Sequence, residues 1–169
     1  MKNRYIDLIE QTFEFPKEEF NVIDNELYWN NIPLMDIIKQ YGTPVRLTYL
    51  PRISEQIQKA RINFNVAMAK TEYNGEYNYC YCTKSSYFSF ILEEVLENDV
   101  HIETSSAFDI NIIEELYDTG HLKKSNYIIC NGFKRPQYIE NIVNLIHEGF
   151  ENTIPVLDNK FELDKYIEA

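Results

Sequence analysis

Apolar and polar positions repeat along most of the chain in a way that predicts its elements. From Pro51 a helical stripe (Ile53, Ile57, Ala60, Phe64) leads to a strand over 79–83 and a helix over 87–97, with Phe88, Ile91, Leu92 and Val95 at helical spacing. Strand 100–104 precedes helix 107–117, strand 127–131 precedes helix 137–147, and strand 153–157 precedes helix 161–167. Strand and helix alternate four times with a period of roughly 21 to 27 residues, the signature of βαβ units and a parallel sheet. Several strands are apolar on both faces, as in Tyr127-Ile128-Ile129-Cys130, which suits a sheet covered by helices.

Such a repeat belongs either to an open doubly wound sheet or to a TIM-type barrel. A complete barrel takes eight strands and about 250 residues, so a barrel reading makes this chain half of one. The first fifty residues read differently. A helix is predicted over 5–12 and a strand over 25–29. A turn at Asn30-Asn31 follows, then a short helix over 33–40 closed near Gly42. A second strand is expected over 44–49, where Val45, Leu47 and Tyr49 alternate with Arg46 and Thr48. The expected organisation is an extension over 1–50 and β/α units over 51–169. With five glycines and six prolines, none clustered, no flexible linker separates them.

Composition narrows the class. A hydrophobic share of 44% with 14% aromatics excludes a disordered acidic tail. The 16 Lys and Arg stand against 27 Asp and Glu, a net charge of −11, with no basic cluster to meet phosphates or an anionic membrane. No nucleic-acid or membrane partner is therefore expected. No run of about eighteen apolar residues suggests a membrane span, and the acidic, interrupted start Met1–Asp7 does not look like a secretory signal. Cys80, Cys82 and Cys130 fit neither a zinc pattern nor a Cys-x-x-Cys pair, so reduced thiols in a cytoplasmic protein are expected. His101, His121 and His147 share no metal-ligand spacing, and no Walker loop, Gly-x-Gly-x-x-Gly or Gly-x-Ser-x-Gly occurs.

In parallel α/β folds ligands collect at the carboxyl ends of strands. Those ends read Thr83-Lys84-Ser85-Ser86, Glu103-Thr104-Ser105-Ser106, Asn131-Gly132-Phe133-Lys134 and Asp158-Asn159. Alternation puts Lys84 on the face of Cys80 and Cys82, at the rim of a dry pocket where a lysine loses charge and gains nucleophilicity. The alternatives are a lysine that snorkels to solvent or one that pairs with Glu103. Glu103 is either its counter-ion or a carboxylate near a cofactor. Ser105 or Ser106 suits the cap of the helix that carries Asp109.

Four segments together resemble the fold-type III pyridoxal-phosphate decarboxylases, a group that includes ornithine, diaminopimelate and arginine decarboxylases. They are Tyr41-Gly42-Thr43-Pro44, Tyr81-Cys82-Thr83-Lys84-Ser85, His101-Ile102-Glu103-Thr104-Ser105-Ser106 and Ile129-Cys130-Asn131-Gly132-Phe133-Lys134. The last looks most like biosynthetic arginine decarboxylases. The resemblance runs roughly from Asn25 onward. It implies an α/β fold, the N-terminal half of a (β/α)8 TIM-type barrel with a small mixed α/β extension whose strands join a β-domain. It also implies pyridoxal phosphate held covalently by Lys84, with Glu103 and Ser105 beside it, and a basic amino acid as substrate. The cofactor ring takes up electrons as carbon dioxide leaves. Further implications are polyamine biosynthesis and a homodimer or higher assembly of the full-length enzyme. Magnesium is implied by the family alone, with no site for it in the sequence.

The family's cofactor-stacking histidine, glycine-rich phosphate loop, acidic partner of the ring nitrogen and later Cys-Asp pair have no counterpart here. The 169-residue chain by itself is therefore expected to be inactive. The alternative reading is a non-catalytic half-barrel that acts as a binding or assembly partner.

Overall fold

Asp24-Asn25 and Asn30-Asn31 each place two consecutive residues at positive φ (48° and 65°, 47° and 64°). That backbone matches strand twist in two-residue hairpin loops, and Asn and Asp adopt it at little cost. The first pair joins β1 (Phe20–Ile23) to β2 (Glu26–Trp29), and the second joins β2 to β3 (Ile32–Pro33), giving an antiparallel sheet in that order. Helix α1 (Leu34–Tyr41) follows and stops at Gly42, whose φ of 79° lets its N–H return to the Ile38 carbonyl at 2.8 Å.

This computed structural model describes residues 19–168, which form two compact units divided between Thr48 and Tyr49. The helix expected over 5–12 lies outside the described residues. Strand β1 was not expected. The strand expected over 44–49 is not formed: the segment pairs with no strand among the described residues. Alternation signals a half-buried surface, and only a neighbouring ladder turns that surface into a strand.

The second unit opens with α2 (Pro51–Lys70), whose first turn takes proline without losing a hydrogen bond. Then come β4 (Cys80–Cys82), α3 (Ser89–Leu96), β5 (His101–Thr104), α4 (Ala107–Asp118), β6 (Ile128–Cys130), α5 (Pro136–His147), β7 (Thr153–Pro155) and α6 (Lys160–Glu168). The four strands are parallel and lie in sequence order, β4-β5-β6-β7. A doubly wound sheet reverses its order at a switch point, whereas barrel units run in sequence.

Burial also distinguishes the two faces of the sheet. Ile102, Thr104, Ile128 and Cys130 point into a core with Leu92 and Leu96 of α3, Ile110, Ile113 and Leu116 of α4, and Tyr138, Ile142 and Leu145 of α5. The residues between them on the strands (His101, Glu103, Ile129) are half-buried, and Ile154 is exposed. The sheet is thus covered on one face among the described residues, against the expectation of cover on both. Helix α2 departs from its predicted stripe as well. Ile57 is buried, but Phe64 is half-exposed and stacks on Tyr77, with ring centroids 4.2 Å apart. Among the described residues no helix is long and apolar enough to cross a membrane.

Candidate functional site

The carboxyl ends of β4, β5 and β6 are drawn together by two carboxylates. On the less covered face, Glu103 Oε1 accepts from Asn131 Nδ2 at 3.0 Å and from the Cys82 thiol at 3.5 Å. Asn131 is itself oriented, because its Oδ1 accepts the Gly132 N–H at 2.8 Å. Gly132 is required at this point. Its φ is 80°, and a Cβ there would lie 2.6 Å from the Ser105 carbonyl oxygen.

On the covered face, Asp109 Oδ2 accepts from Ser105 N (2.6 Å), Ser105 Oγ (3.0 Å), Ser106 N (3.1 Å) and Thr83 Oγ1 (3.0 Å). The Ser106 N bond belongs to the capping box of α4, for which Ser106 is the N-cap as the sequence suggested, and the two from Ser105 brace the residue before it. The fourth reaches across to β4. Ser105 therefore has its hydroxyl proton committed to Asp109, and only its lone pairs remain open to a ligand.

Lys84 stands at the end of β4, in the turn closed by Ser85 N–H to Cys82 O at 3.0 Å. The ladder ends before it, so the strand's alternation does not carry Lys84 onto the face of Cys80 and Cys82. Its side chain is exposed, not held in a dry pocket, and has no hydrogen bond or ion pair among the described residues. The structure thus gathers Lys84, Glu103 and Ser105 at one end of the sheet without forming the Lys84–Glu103 pair. Asn131, Thr83 and Asp109 join them. The sequence signalled Asn131 and Thr83 only as members of the quoted segments, and Asp109 only as a residue of the helix that Ser105 or Ser106 caps.

The other titratable groups nearby are not poised for nucleophilic chemistry. Burial, followed by the Glu103 charge, pushes the Cys80 thiol up, and burial does the same for Cys130. Burial also drives the Tyr138 phenol far above its usual range, which keeps it protonated in its 2.8 Å hydrogen bond with Thr104. Among the described residues no group of three His, Cys, Asp or Glu side chains is placed to hold a metal ion. A surface groove runs along α5 and α6 between Ile139, Val143, His147 and Lys165.

His101 lies at the opposite, amino-terminal end of β5 and serves structure. Its Nδ1 accepts the Tyr127 N–H at 3.1 Å, so the proton is assigned to Nε2, 3.3 Å from Asn78 Oδ1. Burial lowers its pKa, and Asp99 only partly offsets this. Below the ordinary histidine range near pH 6.5 the unfolded chain then binds a proton that the folded chain refuses, so stability falls as pH falls. We expect the urea midpoint to drop between pH 7.5 and 5.5 by more in the native chain than in His101→Asn, whose Oδ1 can still accept from Tyr127. The excess corresponds to one proton at most, and equal drops would refute the assignment.

Four sequential parallel β/α units packed on one side define a barrel-type α/β protein. The same fold is found in the crystal structure of the biosynthetic arginine decarboxylase SpeA from Campylobacter jejuni, with a TM-score of 0.68 and 20% identity. The match covers 99% of this chain and 28% of that one. No protein-family model and no curated protein matches the chain. At this identity the likeness establishes the fold.

The residues at the strand ends fit one part of pyridoxal phosphate. Lys84 offers a free amine to an aldehyde, and Glu103 offers an oriented carboxylate. They do not fit its phosphate, because the N–H groups of Ser105, Ser106 and Gly132 are already taken by Asp109 and Asn131.

Proposed function

We propose that this chain is the N-terminal portion of a pyridoxal-phosphate-dependent decarboxylase that converts arginine to agmatine and carbon dioxide in polyamine biosynthesis. The observation that carries the reading is the unpartnered Lys84 amine at the carboxyl end of the first of four sequential parallel strands. The fold shared with an arginine decarboxylase and the resemblance of the segment 129–134 support arginine as the substrate.

In this reading Lys84 attaches the cofactor and yields it to the substrate's amine. Glu103, fixed from both sides by Cys82 and Asn131, holds an acceptor beside that amine. Ser105 offers its lone pairs to the same ligand. When bound, the cofactor supplies the electron sink for loss of the α-carboxylate. Residues 51–169 form the first four β/α units, and the extension over 1–50 joins a β-domain built by the rest of the enzyme. That remainder also supplies the phosphate and ring-nitrogen contacts. The enzyme is cytoplasmic and a homodimer or larger. A net charge of −11 favours the approach of a cationic substrate, an effect that salt screens.

The test is release of labelled carbon dioxide from carboxyl-labelled arginine, ornithine and diaminopimelate by the product of the source reading frame that contains this sequence. Arginine is the expected substrate, and the 169-residue chain alone is expected to release none. Turnover by the 169-residue chain would refute its being only a portion of the machinery. No release from any of the three by the frame's product would refute the decarboxylase.

The edges of β4 and β7, unpaired among the described residues, favour one second reading. It is a non-catalytic half-barrel that closes against a partner. A symmetric dimer whose edge amides are protected from exchange, together with no decarboxylation, would select it.

A further inference from the structure

Thr83 is 2% exposed and its neighbour Lys84 is exposed, so one peptide unit carries a side chain locked into the core and another free in solvent. The lock has several parts. Thr83 N–H donates to Glu103 O at 3.0 Å. The Thr83 hydroxyl shares its proton between Asp109 Oδ2 at 3.0 Å and Glu103 O at 3.2 Å. Asp109 is held in turn by three further donors from the loop after β5. Capping α4 does not require the bond to Thr83, since the capping box of Ser106 and Asp109 already satisfies that role.

We propose that Thr83 is a positioning residue which, through Asp109, fixes the turn that presents the Lys84 amine. The proposal rests on the reading of Lys84 as the cofactor lysine. A strand end without such a tie frays, because its last carbonyls and amides exchange readily with water. A lysine on a frayed end spreads its amine over many positions, and a fixed base removes most of that spread before the flexible stem adds its own.

The test uses the 169-residue chain and Thr83→Val, which keeps the volume and puts a methyl in place of the hydroxyl. We expect amide exchange at Thr83 and Ser85 to quicken at least tenfold, with Ile110 and Ile113 of α4 unchanged and Thr83→Ser restoring protection. Unchanged exchange at Thr83 and Ser85 overturns the proposal. If the valine variant loses protection throughout α4, Thr83→Ala, which adds no misplaced methyl, takes its place under the same criteria.

A second arm adds pyridoxal phosphate, fixes the adducts with borohydride and maps them by mass spectrometry. The adduct at Lys84 relative to exposed Lys59 on α2 is expected to fall at least threefold in Thr83→Val and to recover in Thr83→Ser. A ratio that stays constant while exchange quickens overturns the positioning step. A native ratio no greater than one counts against the cofactor reading of Lys84 and leaves exchange to decide whether Thr83 fixes the turn.

Discussion

Glu162→Ala is expected to destabilise the second unit by about 3 kcal/mol, read from urea unfolding followed by circular dichroism. Glu162 is 1% exposed, and its two carboxylate oxygens accept the Lys134 N–H at 3.3 Å and the Asp158 N–H at 3.1 Å. It thereby ties the loop after β6 to the loop after β7. Truncation leaves the buried Lys134 N–H without a partner, at about 1–3 kcal/mol, strips the part-buried Asp158 N–H of its acceptor at a smaller cost, and opens a cavity besides. Glu162→Gln keeps the volume and one acceptor, so it should cost about half as much. A loss within about 0.5 kcal/mol, the range of ordinary surface changes, would show that water replaces both bonds.

Lys134 completes the same tie from the other side. It is 3% exposed, and its ammonium donates to Gly132 O at 2.5 Å and Val156 O at 2.8 Å, 5.7 Å from the centre of the Tyr138 ring. Lys124 has similar partners, the Glu148 carbonyl and the rings of Tyr117 and Phe150, but it is only half-buried and its hydrogen bond is open to solvent. Chemistry is thus held nearly constant while burial changes. Lys134→Met should cost about 2–3 kcal/mol, because two part-buried carbonyls lose a charged donor, and Lys124→Met under about 1 kcal/mol.

Neither Lys134 nor Glu162 was legible as a core residue. Lysine and glutamate are surface residues by default, and burial of a charge is decided by main-chain groups that other elements deliver. The Asn159–Glu162 spacing was a weak sign, since Asn159 Oδ1 accepts the Glu162 N–H at 3.0 Å as a helix cap. By contrast, the four β/α units were legible because each carries its own periodicity and buries one face. Their strands proved shorter than predicted, as with β4 at Cys80–Cys82 against 79–83, because ladder bonds and not alternation set the ends. Strand β1 was missed for the opposite reason. Phe-Asn-Val-Ile is a short alternation, and reading Asn25 as strand hid the Asp24-Asn25 turn that creates it. At the site, the chain order of Lys84, Glu103 and Ser105 at strand ends was readable. The links through Asn131, Thr83 and Asp109 depend on the relative register of three strands, which no local pattern encodes.

Lys84→Ala, made in the product of the source reading frame, is expected to lower carbon dioxide release from arginine by about 1,000-fold or more, the scale of losing a covalent nucleophile. Unfolding and loss of a positive charge would also lower release, and each has its own readout. Lys84 is exposed and has no partner among the described residues, so its removal should change stability by no more than about 0.5 kcal/mol. An inactive variant that unfolds at the native midpoint has therefore lost chemistry and not structure. Charge alone would matter if Lys84 served only to steer the substrate's carboxylate or to balance Glu103. Lys84→Arg decides this, because a guanidinium keeps the positive charge at every working pH but supplies no neutral amine. Activity within tenfold of native in the arginine variant would leave Lys84 an electrostatic role and remove it from covalent chemistry. If both variants fall together, the amine itself is required, and only an amine can be exchanged for that of an incoming amino acid.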